Sequence, residues 1–202
     1  MFISLDGNES NLVAYYKMSD GSGTSLTDNS TNSNTGTLVN GPSWVTSNAP
    51  VGTIDESYQT NIEGVWEKTG TSDSEASDGL SMSVSSTLAE ANFAIFGNNN
   101  TTGTSTSDLP SGESLQKRSS REWQVDEIGT VSASVIIDIS DATGNSVSPA
   151  AAANYKLLYK SCTECDFTVK ATGASSSDDA ITFSNVALQD GFYAIASTDS
   201  NL

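Results

Sequence analysis

The sequence of 202 residues contains no histidine and two cysteines. Without histidine, neither a Ser-His-Asp nor a Cys-His catalytic arrangement can form. Two cysteines alone leave a zinc site two ligands short. No stretch approaches the roughly 20 consecutive apolar residues that a membrane-spanning helix needs. These absences exclude the commonest hydrolase and zinc chemistries and predict that the chain does not insert into a membrane.

Basic residues are also scarce: 8 Lys and Arg stand against 25 Asp and Glu, for a net charge of -17. Such a surface repels the phosphates of nucleic acids and anionic lipids. It suits calcium, which takes carboxylate, amide and carbonyl oxygens. The alternative is that the acidity only keeps an abundant protein in solution.

Pairs of carboxylates raise the question of glycoside hydrolysis. That chemistry needs an acid of raised pKa in a cleft flanked by aromatic rings. Asp138 and Asp141, and likewise Asp178 and Asp179, have the character of solvated loop ends. The three tryptophans, Trp44, Trp66 and Trp123, are dispersed on predicted strands and are expected in the core. We therefore predict that the protein is not an enzyme.

The two cysteines form a Cys-Thr-Glu-Cys sequence at Cys162 and Cys165. A redox motif of this kind would need a βαβ context and a helix after the first cysteine, and neither is visible. We predict a short-range disulfide that closes a turn between strands, with free thiols as the alternative.

Ser, Thr, Asn and Gly dominate the polar positions, and short bursts of Val, Ile, Phe and Tyr recur between turn signals. This pattern favours strands over helices. It predicts an all-β protein, an antiparallel β-sandwich of jelly-roll or Ig-like type, built as one large or two packed β units. The predicted strands are residues 11–18, 36–39, 43–46, 80–85, 93–97, 121–127, 131–139, 155–159, 167–171, 181–186 and 192–196.

The pattern weakens between residues 49 and 78, apart from one strand-like piece at 64–68. Residues 69–78 are polar without periodicity and are predicted to be a loop or linker. We therefore predict two domains, 1–62 and 63–202, although the strand-like piece that contains Trp66 could belong to either side of the boundary. The first six residues lack the charged and apolar regions of a signal peptide, so a secreted protein with this sequence is expected to be a mature fragment or an excised piece of something longer.

Oxygen-bearing side chains concentrate in one loop-rich stretch at Asp20, Asp28, Asn29, Asn32 and Asn34. Calcium needs about six to eight oxygens, some of them from backbone carbonyls. The spacing lacks the regular form of an EF-hand. Asp20, Asp28, Asn32 and Asn34 are the candidate calcium ligands, and a network of Asx turns without metal is the alternative.

Three of the eight basic residues, Lys117, Arg118 and Arg121, lie within five positions. They could form a contact patch for an acidic partner. The alternative is that Arg121 pairs with Glu122 or a nearby loop carboxylate and orients the strand that carries Trp123.

The start of the chain is apolar at Phe2, Ile3 and Leu5. A short segment of this kind predicts a strand that docks on another subunit, as in strand addition. These three residues are the candidate assembly residues.

Further features near the start are residues 12–18 (LVAYYKM), 20–24 (DGSGT), 34–38 (NTGTL) and 40–45 (NGPSWV). Together with Asp28 they resemble the laminin-G-like, concanavalin-type jelly-roll modules of bacterial surface proteins. The resemblance covers residues 11–47, and a complete module is several times longer. It implies one edge of such a module and, in related jelly rolls, a calcium ion in this region.

Residues 93–99 (FAIFGNN), 118–125 (RSSREWQV), 129–131, 155–159 and 190–193 resemble a β-sandwich repeat of type IX-secreted bacterial adhesins. That resemblance implies an exported surface protein and no chemistry. The expected function is an extracellular or cell-surface adhesion module that self-assembles into a filament through strand or edge contacts. Its expected partners are neighbouring copies or domains of the same surface protein.

The alternative function is a calcium-dependent module that binds glycan or a host or surface protein. Such a module would present solvent-exposed aromatic side chains beside the loops at 20–34. Tyr15, Tyr16 and Trp44 are the candidates.

Overall fold

A computed structural model describes residues 2–66, 73–85, 87–149, 151–198, 200 and 202. Besides a five-residue helix, α1 (Ile139–Thr143), and two 3₁₀ turns (Glu56–Tyr58 and Ala152–Asn154), the described residues form short strands. In chain order these are β1 (Ser25–Leu26), β2 (Gly36–Thr37), β3 (Thr60–Trp66), β4 (Asp73–Ser77), β5 (Leu80–Val84), β6 (Phe93–Asn98), β7 (Thr104–Ser105), β8 (Lys117–Ser119), β9 (Trp123–Ile128), β10 (Ser132–Asp138), β11 (Tyr155–Lys160), β12 (Thr168–Thr172), β13 (Ser175–Ser177), β14 (Ala180–Ala187) and β15 (Gly191–Ser197).

Two antiparallel sheets pack face to face. The smaller sheet has the strand order β13-β14-β10-β5-β4. The larger sheet has the order β12-β11-β15-β9-β6-β3, with β8 pairing on β15 and β7 on β8. The protein is therefore all-β and is an antiparallel β-sandwich, which confirms the predicted fold class.

The main core lies between the two sheets. Alternation along β10 turns Ala133, Val135 and Ile137 inward while the residues between them stay partly exposed. Trp123 and Tyr193 enter the same core from the larger sheet. The Trp123 indole N–H donates to the carbonyl of Ser77 at 2.8 Å, so this large polar-tipped ring is fully buried with its donor satisfied.

The larger sheet is covered on its outer face as well. Every residue of β6 and of β15 is buried. At one end, Ile54 and Tyr58 pack over Phe93, Ile95 and Phe192. At the other end, the loop 106–116 places Leu109 and Leu115 against a second apolar cluster. The central strands therefore read as continuous apolar runs, because both of their faces are buried.

Most strands predicted after residue 79 are confirmed to within two residues at each end. Three predictions are wrong. Residues 11–18 and 43–46 contain no regular strand. Within the predicted linker 69–78, Asp73–Ser77 is strand β4, paired with β5, while residues 69–72 lie outside the described residues.

Strand β3 pairs with β6 in the larger sheet and crosses the predicted boundary between residues 62 and 63. Residues 67 and 68 of the strand-like piece 64–68 lie outside the described residues. Of the tryptophans, Trp123 is a core residue as predicted. Trp66 is 36% exposed at the end of β3, and Trp44 is half-buried and lies outside any strand.

Asp138 and Asp141 do not lie at a simple loop end as predicted, because helix α1 begins there. The Asp138 carboxylate accepts from the N–H of Asp141 at 3.0 Å and from the Ser140 hydroxyl at 2.8 Å, which caps the helix. Among the described residues, no helix is long and apolar enough to cross a membrane.

Candidate interaction surface

The N-terminal segment, residues 10–53, folds around its middle stretch, residues 24–30. Strands β1 and β2 pair on one side, through Ser25 with Thr37 and Leu26 with Gly36. On the other side, the N–H of Asn29 donates to the carbonyl of Tyr15 at 2.7 Å. The segment is therefore a minimal two-stranded pairing with one isolated bridge, Tyr16 to Asp28, on its other side.

Asp28 holds this arrangement together. Its carboxylate accepts from the N–H of Tyr15 at 2.7 Å, of Ser30 at 2.8 Å and of Asn34 at 2.6 Å, and from the Ser30 hydroxyl at 2.9 Å. Desolvation would raise the pKa of Asp28, but these donors outweigh it and lower the pKa to about 2. The carboxylate thus joins three parts of the segment that are distant in sequence.

The other candidate calcium ligands have partners within the chain. Asp20 accepts from the hydroxyl and the N–H of Thr27, and these hydrogen bonds lower its pKa. The amides of Asn32 and Asn34 both donate to the carbonyl of Val13, at 3.1 and 2.9 Å. The structure therefore gathers Asp28, Asn32 and Asn34 around one turn and leaves Asp20 beside Thr27.

These bonds are the Asx-turn type of network that the sequence left open as the alternative to calcium. Among the described residues, no group of three or more carboxylates or cysteines is placed to hold a metal ion. Calcium binding by these residues stays a prediction.

The N-terminal segment buries little of its apolar surface. The structure describes all residues of the segment, and Leu26 is its one buried hydrophobic side chain. Others remain open to solvent: Val13 at 72% exposure, Met18 at 58%, Val39 at 72% and Val45 at 86%. Of these, Met18 and Val45 line one groove, and exposed apolar side chains that lie together are typical of an interaction site.

Part of this surface is a groove of about 420 Å³ lined by Met18, Trp44 and Val45, with Lys17 at its rim. The indole N–H of Trp44 donates to the carbonyl of Gly23 at 3.0 Å, which fixes the ring in the groove wall. Of the other candidate aromatics, Tyr16 donates its hydroxyl to the carbonyl of Asn34, and the Tyr15 hydroxyl accepts from the N–H of Leu5. Trp44 is thus the candidate aromatic that lines a groove.

The candidate assembly residues contact their own chain. The Phe2 ring packs on Trp66 with centroids 5.4 Å apart. Ile3 forms a parallel bridge with Gly52, and both Phe2 and Ile3 pack against the cluster that covers the larger sheet. Leu5 is half-buried beside Tyr15. In this structure the segment packs on its own molecule through one isolated bridge and side-chain contacts, and docking on another subunit stays a prediction.

A buried ion cluster formed by Arg118, Glu122 and Lys160 was not predicted; the sequence indicated only that Arg121 could pair with Glu122. Glu122 lies 3.1 Å from Arg118 Nη1 through one oxygen and 3.1 Å from Lys160 Nζ through the other. All three side chains are buried on the outer side of the larger sheet. Strands β8 and β9 both pair with β15, but the pairing is interrupted between them, so that the four residues 119–122 lie opposite only two residues of β15, 194 and 195. The cluster forms because of this irregularity.

Aromatic rings and backbone groups complete this cluster. Tyr58 donates its hydroxyl to Glu122 at 3.1 Å, and burial, followed by the nearby charge of Glu122, raises the pKa of Tyr58. Arg118 and Lys160 both stack over Phe167, at 4.9 and 4.6 Å from the ring centre. Every charge therefore has a partner, as buried charges require.

A disulfide joins Cys162 to Cys165 directly after β11. The turn that it closes directs the carbonyl of Thr163 at Lys160 Nζ, at 3.1 Å. The disulfide therefore supports the buried ion cluster from outside.

The predicted basic patch is divided between two sites. Arg118 belongs to the buried ion cluster and also pairs with Asp108 at 3.4 Å. Arg121 donates to the carbonyls of Thr101 and Asp78 at 2.7 and 3.0 Å and lies 3.8 Å from the Asp78 carboxylate. It is thus Arg118 that pairs with Glu122, while Arg121 pairs with a loop carboxylate.

A second cleft, of about 560 Å³, opens between residues 51–55 and the disulfide turn. Asp55, Asp126 and Asp190 line it, and burial, with the charge of Asp190, raises the pKa of Asp126. Two of these carboxylates accept hydrogen bonds from the backbone: Asp126 from the N–H of Thr53, and Asp190 from the N–H of Glu127 at 2.6 Å. These bonds attach the N-terminal segment, through Thr53, and the residue before β15, Asp190, to strand β9.

A family model described as "Domain of unknown function (DUF8202)" matches residues 56–192. That range spans strands β3 to β14 and reaches into β15, so it covers nearly the whole sandwich and leaves out the N-terminal segment. No curated protein and no solved structure matches the chain.

Proposed function

We propose that this chain, which belongs to the family described as Domain of unknown function (DUF8202), is an extracellular structural and adhesion module of a bacterial surface protein. In this proposal the sandwich is a stable spacer, and the N-terminal segment is the surface that contacts neighbouring copies or domains. The observation that carries the proposal is the apolar surface of that segment, exposed beside a sandwich whose own core is closed.

Two edge strands of the sandwich, β13 and β12, are poorly suited to pairing with a strand of another molecule. This supports contact through the N-terminal segment instead. Edge strand β13 has three residues, Ser175–Ser177, all exposed and polar. Edge strand β12 carries a register shift against β11, because Leu157 faces Ala171 while Leu158 faces Val169. Short and bulged edges disfavour pairing with another chain. At these two edges, contact between copies would therefore form through side-chain packing.

The disulfide supports the extracellular part of the proposal, since structural disulfides persist in oxidising compartments. The resemblances to laminin-G-like modules and to type IX-secreted adhesin repeats support the same location.

The test is labelling of intact, unpermeabilised cells of the source bacterium with antibodies against this chain, together with deletion of its coding region in frame. Surface labelling and weakened attachment of the deletion strain are expected. Labelling that appears only after permeabilisation would refute the proposal. Negative-stain microscopy and sedimentation of the purified chain, in calcium and then in chelator, would show whether filaments form.

A second function is favoured by the groove that contains Trp44. An aromatic ring held in place beside hydroxyl-bearing residues is a common way to bind a sugar ring, and the groove borders the Asp20 turn. In this alternative the chain binds a glycan or a host or surface protein with calcium at Asp20, Asp28, Asn32 and Asn34.

A glycan array probed in calcium and in chelator tests this alternative. Binding that is lost in Trp44→Ala and in chelator would favour it. Trp66→Ala is the matched control, because Trp66 is also partly exposed but lies at the end of β3, away from the groove.

A further inference from the structure

Negative charge is distributed very unevenly over this molecule. Residues 55–202 carry 21 acidic and 7 basic side chains, a net charge of -14, whereas residues 1–54, which include the N-terminal segment, carry Asp6, Glu9, Lys17, Asp20 and Asp28, a net charge of -3. Residues 29–54 contain no charged residue at all. The N-terminal segment is therefore the part of the surface that another acidic protein can approach without bringing carboxylates together.

The two carboxylates of this segment are ionised and accept hydrogen bonds within the chain. Asp28 is buried and accepts four hydrogen bonds, and Asp20 is bonded to Thr27. Lys17 lies at the rim of the groove, with its ammonium 5.5 Å from the centre of the Tyr15 ring. The floor and walls of the groove are otherwise uncharged.

We infer that two copies of this chain associate through their N-terminal segments, with Met18, Trp44 and Val45 of one copy packed against the same residues of the other. The inference rests on the proposed function and names the partner of that surface. Because the same face is used on both copies, the contact closes into a dimer around a two-fold axis and does not propagate.

The charge distribution favours contact between two N-terminal segments over the alternative, in which the segment of one copy docks on the sandwich of another. Docking the segment on the sandwich of a neighbour would place it against a body of net charge -14, with Lys17 as its attractive charge. Pairing two N-terminal segments instead brings few charges together, keeps the acidic bodies apart and buries apolar side chains that now face water, such as Val45 at 86% exposure.

The two arrangements respond oppositely to salt. Association through the apolar side chains of the segments is opposed by the long-range repulsion of the acidic bodies, so screening that repulsion strengthens it. Association of Lys17 with an acidic body is itself electrostatic and weakens in salt.

Sedimentation velocity of the intact chain, over a concentration series in low and high NaCl, tests the inference. A reversible monomer–dimer equilibrium that tightens in high salt is expected. Val45→Asp places a charge in the contact and is expected to weaken dimerisation by roughly 10-fold or more. Ile128→Asp is the matched control, because Ile128 is also an exposed aliphatic residue, at 46%, but lies at the end of β9 on the sandwich.

A monomer at every concentration would overturn the inference, and so would equal weakening by the two substitutions. Assemblies that grow beyond a dimer, or association that is lost in salt, would also overturn it in favour of docking on the acidic body. None of these outcomes affects surface labelling of cells, so the proposed function stands or fails separately.

Discussion

Glu122 holds two buried cations at once, Arg118 through one carboxylate oxygen and Lys160 through the other. Substituting Glu122→Ala leaves both cations buried with less compensation, and breaking a buried pair in this way costs about 3–5 kcal/mol. We expect a loss of that size in the free energy of unfolding, measured by urea denaturation. Glu113→Ala, at an exposed loop position, is the control and is expected to change stability by less than about 0.5 kcal/mol. Equal effects of the two substitutions would show that the cluster is not structural.

The pKa of Asp28 leads to a second prediction, on acid sensitivity. The folded pKa, about 2, lies below the ordinary value of 3.8, so ionised Asp28 favours the folded segment above about pH 4. That contribution is lost as the pH falls towards 2. We expect the amides of Tyr15, Ser30 and Asn34 to lose protection from hydrogen exchange in this range, after correction for intrinsic exchange rates.

The amide of Leu38 is the internal control for this experiment, because it donates to the carbonyl of Thr24 and not to a carboxylate. Its protection should persist to lower pH than that of the other three amides. Asp28→Asn should show their low protection already at neutral pH. Simultaneous loss at all four amides would indicate unfolding of the whole segment instead.

Individual contacts were the part of the site that the sequence predicted least well. A basic cluster next to Glu122 indicated an ion pair. Which arginine pairs with Glu122 depends on the interruption between β8 and β9. A register shift of this kind leaves no pattern in the local sequence. Lys160 is 38 residues further along the chain and reaches Glu122 only because β11 and β9 both pair with β15. Asp28 was identified as a ligand-bearing residue because turns favour Asp, but not as an acceptor of three backbone N–H groups.

At the scale of elements, the disulfide is expected to stabilise the fold modestly. It closes a loop of four residues, for which loop-closure entropy gives about 2 kcal/mol. Cys162→Ser with Cys165→Ser should lower the free energy of unfolding by about that amount, as measured in guanidinium chloride. The wild-type chain under reducing conditions should match the double variant. A loss well above this value would mean that the turn also determines how Lys160 is held, through the Thr163 carbonyl.

Strands were predicted correctly where burial produces a recognisable pattern of apolar residues in the sequence. Strand β10 alternates and β15 is continuously apolar, so both were visible in the sequence. Strand β4 has the sequence Asp-Ser-Glu-Ala-Ser and lies at a sheet edge, so pairing with β5 determines it rather than apolar periodicity. Residues 11–18 were wrongly predicted to be a strand. Their apolar run has no sheet to join and therefore forms no regular strand.

For the whole molecule, the net charge of -17 makes stability depend on salt. The carboxylates of residues 55–202 repel one another most strongly in the compact folded state, and ions screen that repulsion over about 10 Å at 0.1 M. We expect the melting temperature to rise between about 10 mM and 500 mM NaCl, as measured by calorimetry at a protein concentration low enough to keep the chain monomeric. The buried ion cluster opposes this trend little, since its charges are shielded from solvent ions. A melting temperature that falls with salt would mean that attractive ion pairs, and not repulsion, dominate the electrostatics of the fold.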